Sequence, residues 1–398
     1  MTTADRWLLP DGMDEVLPPQ ATRMEELRRT LLNLYDCWGY DQVMPPAAEF
    51  LDSLLTGTGS DLALQTFKIV DQLSGRTLGV SADVTPQVAR MDAHSLRRPG
   101  PARLCYCTTV LRAQADQYQG GRSPVQVGVE LFGHADIQAD LEVLRLALAS
   151  LRVAGAGEVH LALGHIGLYR SLVEAADLDV QAERGIFSAL ALKSPGELQV
   201  QLETHVRDPD LANMLASLVE LHGGDEIFET AREVFSKAPK PVITALDQLE
   251  TLCRGIQAAY PKVELYFDLA ELRGYRYHTG MVFSAYVPGY GQALVKGGRY
   301  DNTGQAFGRA RPATGFSMDL KLLVSLAEQA PPLDGIWAPA EDTPGAETSS
   351  LARAIETLRR SGERVVQALP GQQDDPETYR CNRRLVRMGD DWQVSPLK

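Results

Sequence analysis

Two β-rich runs, Leu104 to Val110 and Val125 to Phe132, flank a loop rich in Gln, Gly and Arg, Gln114 to Ser123, and so predict an antiparallel strand pair. Further on, Val263 to Leu269, Met281 to Val287 and Gln292 to Lys296 alternate or nearly so, with Pro288 to Gly291 as the turn between the last two. Strands grouped by antiparallel turns, with helical stretches outside them, predict an α+β sheet and exclude a doubly wound parallel one. The helical stretches are an amphipathic one (Met24, Leu27, Leu31, Leu34, Trp38) ending at Gly39, a second from Ala139 to Ala154, and a long helical insertion, about 166–260. That insertion is broken at Ser194, Pro209 and Gly223. A short strand, Tyr40 to Met44, should follow the first helix and stop at Pro45 and Pro46, which cannot donate to a ladder. A strand at Val159 to Leu163 should precede the insertion, and a Gly-rich segment and a helix from Asp319 to Glu328 should close the main domain.

A chain of 398 residues that is 44% hydrophobic can bury a full core in two or three domains. The main domain is expected over residues 1–328 and a small C-terminal domain over 329–398, beginning in a Pro-, Gly- and acid-rich linker. In the tail, Leu351 to Ser361 reads as a helix, Arg364 to Leu369 as a strand, and Asn382 to Val394 as a hairpin turning near Gly389. With 39 Lys+Arg against 52 Asp+Glu the net charge is −13, which disfavours a phosphate backbone as partner, so nucleic acid is not expected. No apolar stretch suits a signal peptide or a membrane span, and five scattered cysteines fit a reducing compartment; a cytoplasmic location is expected. Cys105 and Cys107 share one strand face, but nothing beside them completes a metal site.

Four clusters of polar residues carry chemistry. Arg112, at the end of the first strand run, can neutralise a carboxylate or phosphate by bidentate contact. Gln126 and Glu130 alternate with Gly128 along the second run and therefore point the same way. Asp83 and Thr85 offer a carboxylate and a hydroxyl able to capture an ammonium, and with Pro86 they would equally start a helix. The fourth cluster runs from Glu271 to Gly280 and includes Arg273, Gly274 and Tyr277.

Read together with Trp38 to Pro46, and with Lys296 to Asp301 and Arg311 to Leu322, these segments resemble the three motifs of class II aminoacyl-tRNA synthetases, in the histidyl form, over roughly residues 1–325. The resemblance implies an antiparallel class II sheet with flanking helices and a histidine pocket made of Asp83, Thr85, Arg112, Gln126, Glu130, Arg273 and Tyr277. Asp83 and Thr85 would receive the amino group, Gln126 the ammonium side, and Glu130 a hydrogen bond from the imidazole; Arg273 could instead hold Glu130 in an ion pair. Arg276 and His278 depart from the signature, as do Ser81 and Ala82 in the loop before Asp83. Where active enzymes carry an arginine against adenine and the γ-phosphate stands Leu322, and where they carry a glycine stands Asp319. Both changes oppose ATP, and the short tail resembles a truncated anticodon-binding domain.

This pattern is similar to the regulatory-subunit family of ATP phosphoribosyltransferase. The similarity implies no catalysis, no cofactor, histidine as effector, a homodimer core, and assembly with the short-form catalytic subunit into a hetero-octamer. An active histidyl-tRNA synthetase, or a paralogue that activates another amino acid, is the alternative.

Overall fold

The computed structural model describes residues 7–56, 60–114, 121–275, 277–326, 334–341 and 350–397. The chain divides into two compact units, Met1–Glu328 and Gln329–Lys398.

The larger unit is built on a nine-stranded sheet. In spatial order its strands are Asp41–Gln42, Ala102–Thr109, Val125–Phe132, Ala313–Asp319, Val295–Arg299, Met281–Tyr286, His160–His165, Glu264–Asp268 and His222–Gly223. Neighbours run antiparallel except at two places, where Asp41–Gln42 lies parallel to Ala102–Thr109 and His160–His165 parallel to Glu264–Asp268. The pairing expected from the opening runs is present, with Ala102 opposite Phe132 and Thr109 opposite Val125. The strand expected at Tyr40 to Met44 shrinks to two exposed residues, because Tyr40 is still held by the helix end, its N–H bonding Tyr35 O. The run expected at Gln292 to Lys296 shifts to Val295–Arg299, and its partner Ala313–Asp319 stands where only a Gly-rich segment was expected.

One sheet face packs on helices. Val127, Val129 and Leu131 join Leu31 and Tyr35 from the helix Gln20–Cys37 and Leu144, Ala147 and Leu151 from Ile137–Val153 in one buried core. The first helix stops where Gly39 takes a left-handed φ of +81°. The second starts on Asp136, whose carboxylate accepts from the Gln138 N–H at 3.0 Å. The insertion folds as six helices, Ile166–Ala175, Val180–Ala191, Pro195–His205, Pro209–Ser217, Ile227–Val234 and Lys240–Ala259. Its expected breaks fall at an N-cap (Ser194), a first helical residue (Pro209) and the short strand (Gly223).

A small sheet not foreseen from sequence, Ala48–Phe50, Thr77–Val80 and Lys68–Val70, leads into the Asp83 loop. The closing helix is only Leu320–Val324, with Asp319 as its cap. In the smaller unit, helix Ser350–Arg360 covers a four-stranded sheet ordered Val365–Gln367, Gly335–Ala338, Cys381–Met388, Asp391–Pro396. Gly335–Ala338 is a buried strand inside the stretch expected to be linker. Among the described residues no helix is long and apolar enough to cross a membrane.

Candidate functional site

The face of the sheet opposite the helices carries a cavity, and the register explains why there is room for it. Glu130 lies opposite Gly315, and Gly315 opposite Gly298, so two successive strands beside Glu130 present no side chain. A Cβ at Gly315 would fall 1.8 Å from a Glu130 carboxylate oxygen. Gly128 does a related job. It lies opposite Tyr106, and a Cβ there would come within 2.7 Å of the Tyr106 hydroxyl, so glycine lets that ring cross the strand to reach Glu130.

The resulting hollow has a volume of about 270 Å³, just under the roughly 300–1,000 Å³ usual for small-molecule sites. Six residues singled out from sequence line it: Asp83, Thr85, Arg112, Gln126, Glu130 and Tyr277. Gln126 fastens the Asp83 loop to the sheet, its Nε2 donating to Asp83 Oδ1 at 2.8 Å while its Oε1 accepts from the Val84 N–H at 3.0 Å. Asp83 also accepts from the Thr85 N–H at 3.2 Å, just before the helix Thr85–Arg90, whose cap position is Val84. The seventh residue, Arg273, lies in an adjoining hollow. Its side chain is 58% exposed and paired with Glu271, not Glu130, and it donates to the Tyr286 hydroxyl at 3.1 Å. His278, Lys296 and Gly297 form the wall shared by the two hollows.

Glu130 is 1% exposed. The Tyr106 hydroxyl donates to one of its oxygens at 3.1 Å and the Tyr300 hydroxyl bonds the other. Tyr277 stacks on Tyr300 with ring centres 5.0 Å apart. Burial, with Asp83 of like charge nearby, pushes the Glu130 carboxyl up to about 8, although the tyrosine contact works the other way. Burial likewise holds His278 down at about 4, so its ring is neutral. Its Nδ1 faces the Arg299 carbonyl at 3.3 Å, and since a carbonyl only accepts, Nδ1 carries the proton.

A raised carboxyl pKa means the folded state holds a proton that the unfolded chain releases. Its stabilising contribution is complete below the ordinary value of 4.5 and is lost as pH rises through about 8. Glu130→Gln, which cannot ionise, should therefore gain on the parent chain by up to about 1.4 kcal/mol per pH unit across that interval. Urea unfolding of both proteins at pH 5, 6.5 and 8 measures the gap; parallel curves would show an ordinary carboxyl.

A second hollow lies directly beside the first and shares Arg112, Gln126, Lys296 and Ser317 with it. Its wall is completed by Asp319 and Leu322. The Asp319 carboxylate accepts from the N–H of Lys321 (3.0 Å) and of Val125 (3.2 Å), so the acid is fixed in place as a helix cap. Leu322 offers only methyl groups and packs against the main core.

Comparison with known proteins finds relatives for both units. Residues 12–323 match the histidyl-tRNA synthetase family, and residues 333–395 match the C-terminal domain of the ATP phosphoribosyltransferase subunit HisZ. A relative from Chromohalobacter salexigens, named an ATP phosphoribosyltransferase regulatory subunit, is 67% identical over 397 residues, covering 100% of both chains. One of the same name from Pseudomonas syringae pv. tomato is 51% identical over 400 residues, again covering both chains in full. The chain belongs to the ATP phosphoribosyltransferase regulatory-subunit family. Among solved structures, the regulatory subunit/histidyl-tRNA synthetase from Bacillus halodurans superposes with a TM-score of 0.81 at 27% identity, covering 95% of this chain and 97% of that one. The histidyl-tRNA synthetase from Nostoc gives 0.77 at 17% identity, with 96% and 91% covered, a likeness of fold. The larger unit of this regulatory-subunit family member thus has the class II synthetase-like fold.

Three residues of the site were given no role in the sequence reading: Tyr300 and Lys296, which line the hollow, and Tyr106, which bonds Glu130. Tyr106 reaches Glu130 only because of its register against Gly128, which pattern does not reveal. Arg276 and residues 115–120 of the Gln114 to Ser123 loop lie outside the described residues. One group among the described residues could gather round a metal, Glu158, His160 and Glu264, but both acids are exposed, and the half-buried His160 ring already lies 2.9 Å from Glu264 and 3.7 Å from Glu158.

Proposed function

We propose that this chain is a non-catalytic regulatory subunit in the first step of histidine biosynthesis. It activates a short-form ATP phosphoribosyltransferase and transmits feedback inhibition by histidine. In this reading a homodimer forms the core of a cytoplasmic hetero-octamer with the catalytic subunit, and histidine occupies the Glu130 cavity. The names of the relatives support the partner. The observation that carries the reading is the contrast between two adjoining hollows: one keeps acids, amides and hydroxyls suited to an amino acid, while the next, although it shares Arg112 and Lys296, holds Leu322 and the acid Asp319 where a nucleotide would need further positive charge. A subunit that binds the amino acid without activating it can bias its partner's conformations, because the ligand's differential affinity for two states is what shifts them.

Histidine brings an ammonium, a carboxylate and a ring. Asp83 with Thr85 suits the first, Arg112 the second and Glu130 the third, with Arg273 near enough to join only if it leaves Glu271. Deleting a buried ring contact costs about 1–3 kcal/mol, so Glu130→Ala should raise the half-inhibitory histidine concentration of the assembled complex roughly ten-fold or more. The measurement is feedback inhibition of the copurified complex, wild type against variant. An unchanged concentration would move the effector site out of this cavity, to a junction between subunits.

A further inference from the structure

We infer that the empty cavity keeps a proton on Glu130 and hands it to the ring of the amino acid that enters, so the pocket selects a ring basic enough to take it. The inference rests on the reading above that histidine occupies this cavity. Its basis is the company Glu130 keeps. The strand Ala102–Thr109 contributes the Tyr106 hydroxyl, the residue after Val295–Arg299 contributes the Tyr300 hydroxyl, and Ala313–Asp319 contributes the bare Gly315. Tyr277 and the neutral His278 come from the segment before Met281. Across the hollow stands Asp83, while the Thr85 hydroxyl faces Glu130 itself, with Gln126 along the same strand and Arg112 and Lys296 in the wall.

No ion pair to Glu130 is present among the described residues, although Arg299, next to Tyr300, is committed to Asp140 and Asp301. The acid across the hollow, Asp83, has the same sign. A fully buried carboxylate with no ion pair among the described residues is costly, and the cheaper state is the protonated one, in agreement with its rise to about 8. Hydroxyls both donate and accept, so the two tyrosines serve either state.

The transfer balances within the site. The O–H bond of Glu130 breaks, its proton joins the lone pair of the unprotonated ring nitrogen, and an imidazolium is left beside a carboxylate. Between the ring's ordinary value of about 6.5 and the carboxyl's about 8, no proton enters or leaves solvent. Below that window the ring arrives charged and the Glu130 proton must be expelled; above it a proton must be taken up. Affinity is therefore level inside the window and falls about ten-fold per pH unit on either side. A permanently ionised Glu130 would instead need the charged ring, and affinity would fall from about 6.5 upwards.

Two measurements decide it. In ligand-free protein with carbon-13-labelled glutamate, the one side-chain carboxyl resonance missing from Glu130→Gln should titrate near pH 8; titration below pH 6 overturns the inference. Histidine affinity by calorimetry, expressed as wild type over Glu130→Gln so that titration of the ligand's own amino group cancels, should not fall steadily from pH 6.5 but only beyond 8. In the variant the amide donates to the neutral ring, so binding survives at high pH. A ratio already ten-fold lower at pH 7.5 than at 6.5 overturns proton transfer. No histidine binding at any pH, with the carboxyl still titrating near 8, would reject the proposed ligand and its transfer step while supporting the proton-holding acid.

Discussion

Given histidine, ATP and labelled pyrophosphate, the chain should give no exchange above background, and Leu322→Arg alone should not create any. Adenylate formation depends on positive charge placed against the reacting phosphates, worth orders of magnitude in rate. Leu322 stands where the resemblance to active synthetases would place a stacked arginine, and its alkyl chain forfeits charge-assisted contacts of about 1.5–3 kcal/mol. The second obstacle is built into the backbone. Asp319 caps Leu320–Val324 and ties down Val125, so its carboxylate cannot swing away from a bound phosphate, and replacing it strands two N–H groups. Restoring exchange therefore requires changes at both positions, with a loss of stability. Exchange at enzyme-like rates in the unmodified protein would favour a working histidyl-tRNA synthetase and overturn the regulatory reading.

Asp140→Ala should cost about 3–5 kcal/mol of stability in urea unfolding, the usual result of breaking one side of a buried ion pair. Asp140 and Arg299 are 2.9 Å apart, with only 4% and 8% of their side chains exposed. Arg299 also donates to the carbonyls of His134 and Asp136 and to Asp301, joining the end of the Val295–Arg299 strand to the turn before the Ile137–Val153 helix. Removing Asp140 leaves the guanidinium buried with too few acceptors. Replacing both partners by leucine should cost much less than the single change, because two desolvated charges disappear together. Equal losses in the single and double variants would show that packing, not charge, dominates there. Since Tyr300 follows Arg299, the single variant should also weaken the hold on Glu130 and with it histidine binding.

What the sequence disclosed, and what it concealed, follows from how far apart the interacting residues lie. Val125 to Phe132 is legible as a strand because its own alternation and its loop announce it, and Gln126 and Glu130 come with it because side chains two apart share a face. Ala313–Asp319 is concealed because Gly315 weakens any local strand signal, and the glycine is needed only because Glu130, 185 residues earlier, points across it. Gly335–Ala338 is hidden by its short length amid Pro and acidic residues, though its neighbours bury it fully. The segment around Arg273 stands out in the sequence, yet its ion-pair partner Glu271, two residues away, is unremarkable there. Asp319 is expected both as the start of the closing helix and as an obstacle to nucleotide; that its side chain caps the helix depends on the turn that begins beside it.

The position of Ala313–Asp319 also sets an order of assembly. It is paired on one side with Val125–Phe132 and on the other with Val295–Arg299, in the middle of the sheet. A growing chain that has not yet reached Ala313 therefore owns two half-sheets, each with an open inner edge, and the earlier of them waits through the whole helical insertion. Pairings so distant in sequence close slowly, and exposed edges invite pairing with other chains in the meantime. The strand that completes the Glu130 cavity is thus also the one that joins the two half-sheets, so a nascent chain closes the cavity at the same moment as it covers those two inner edges.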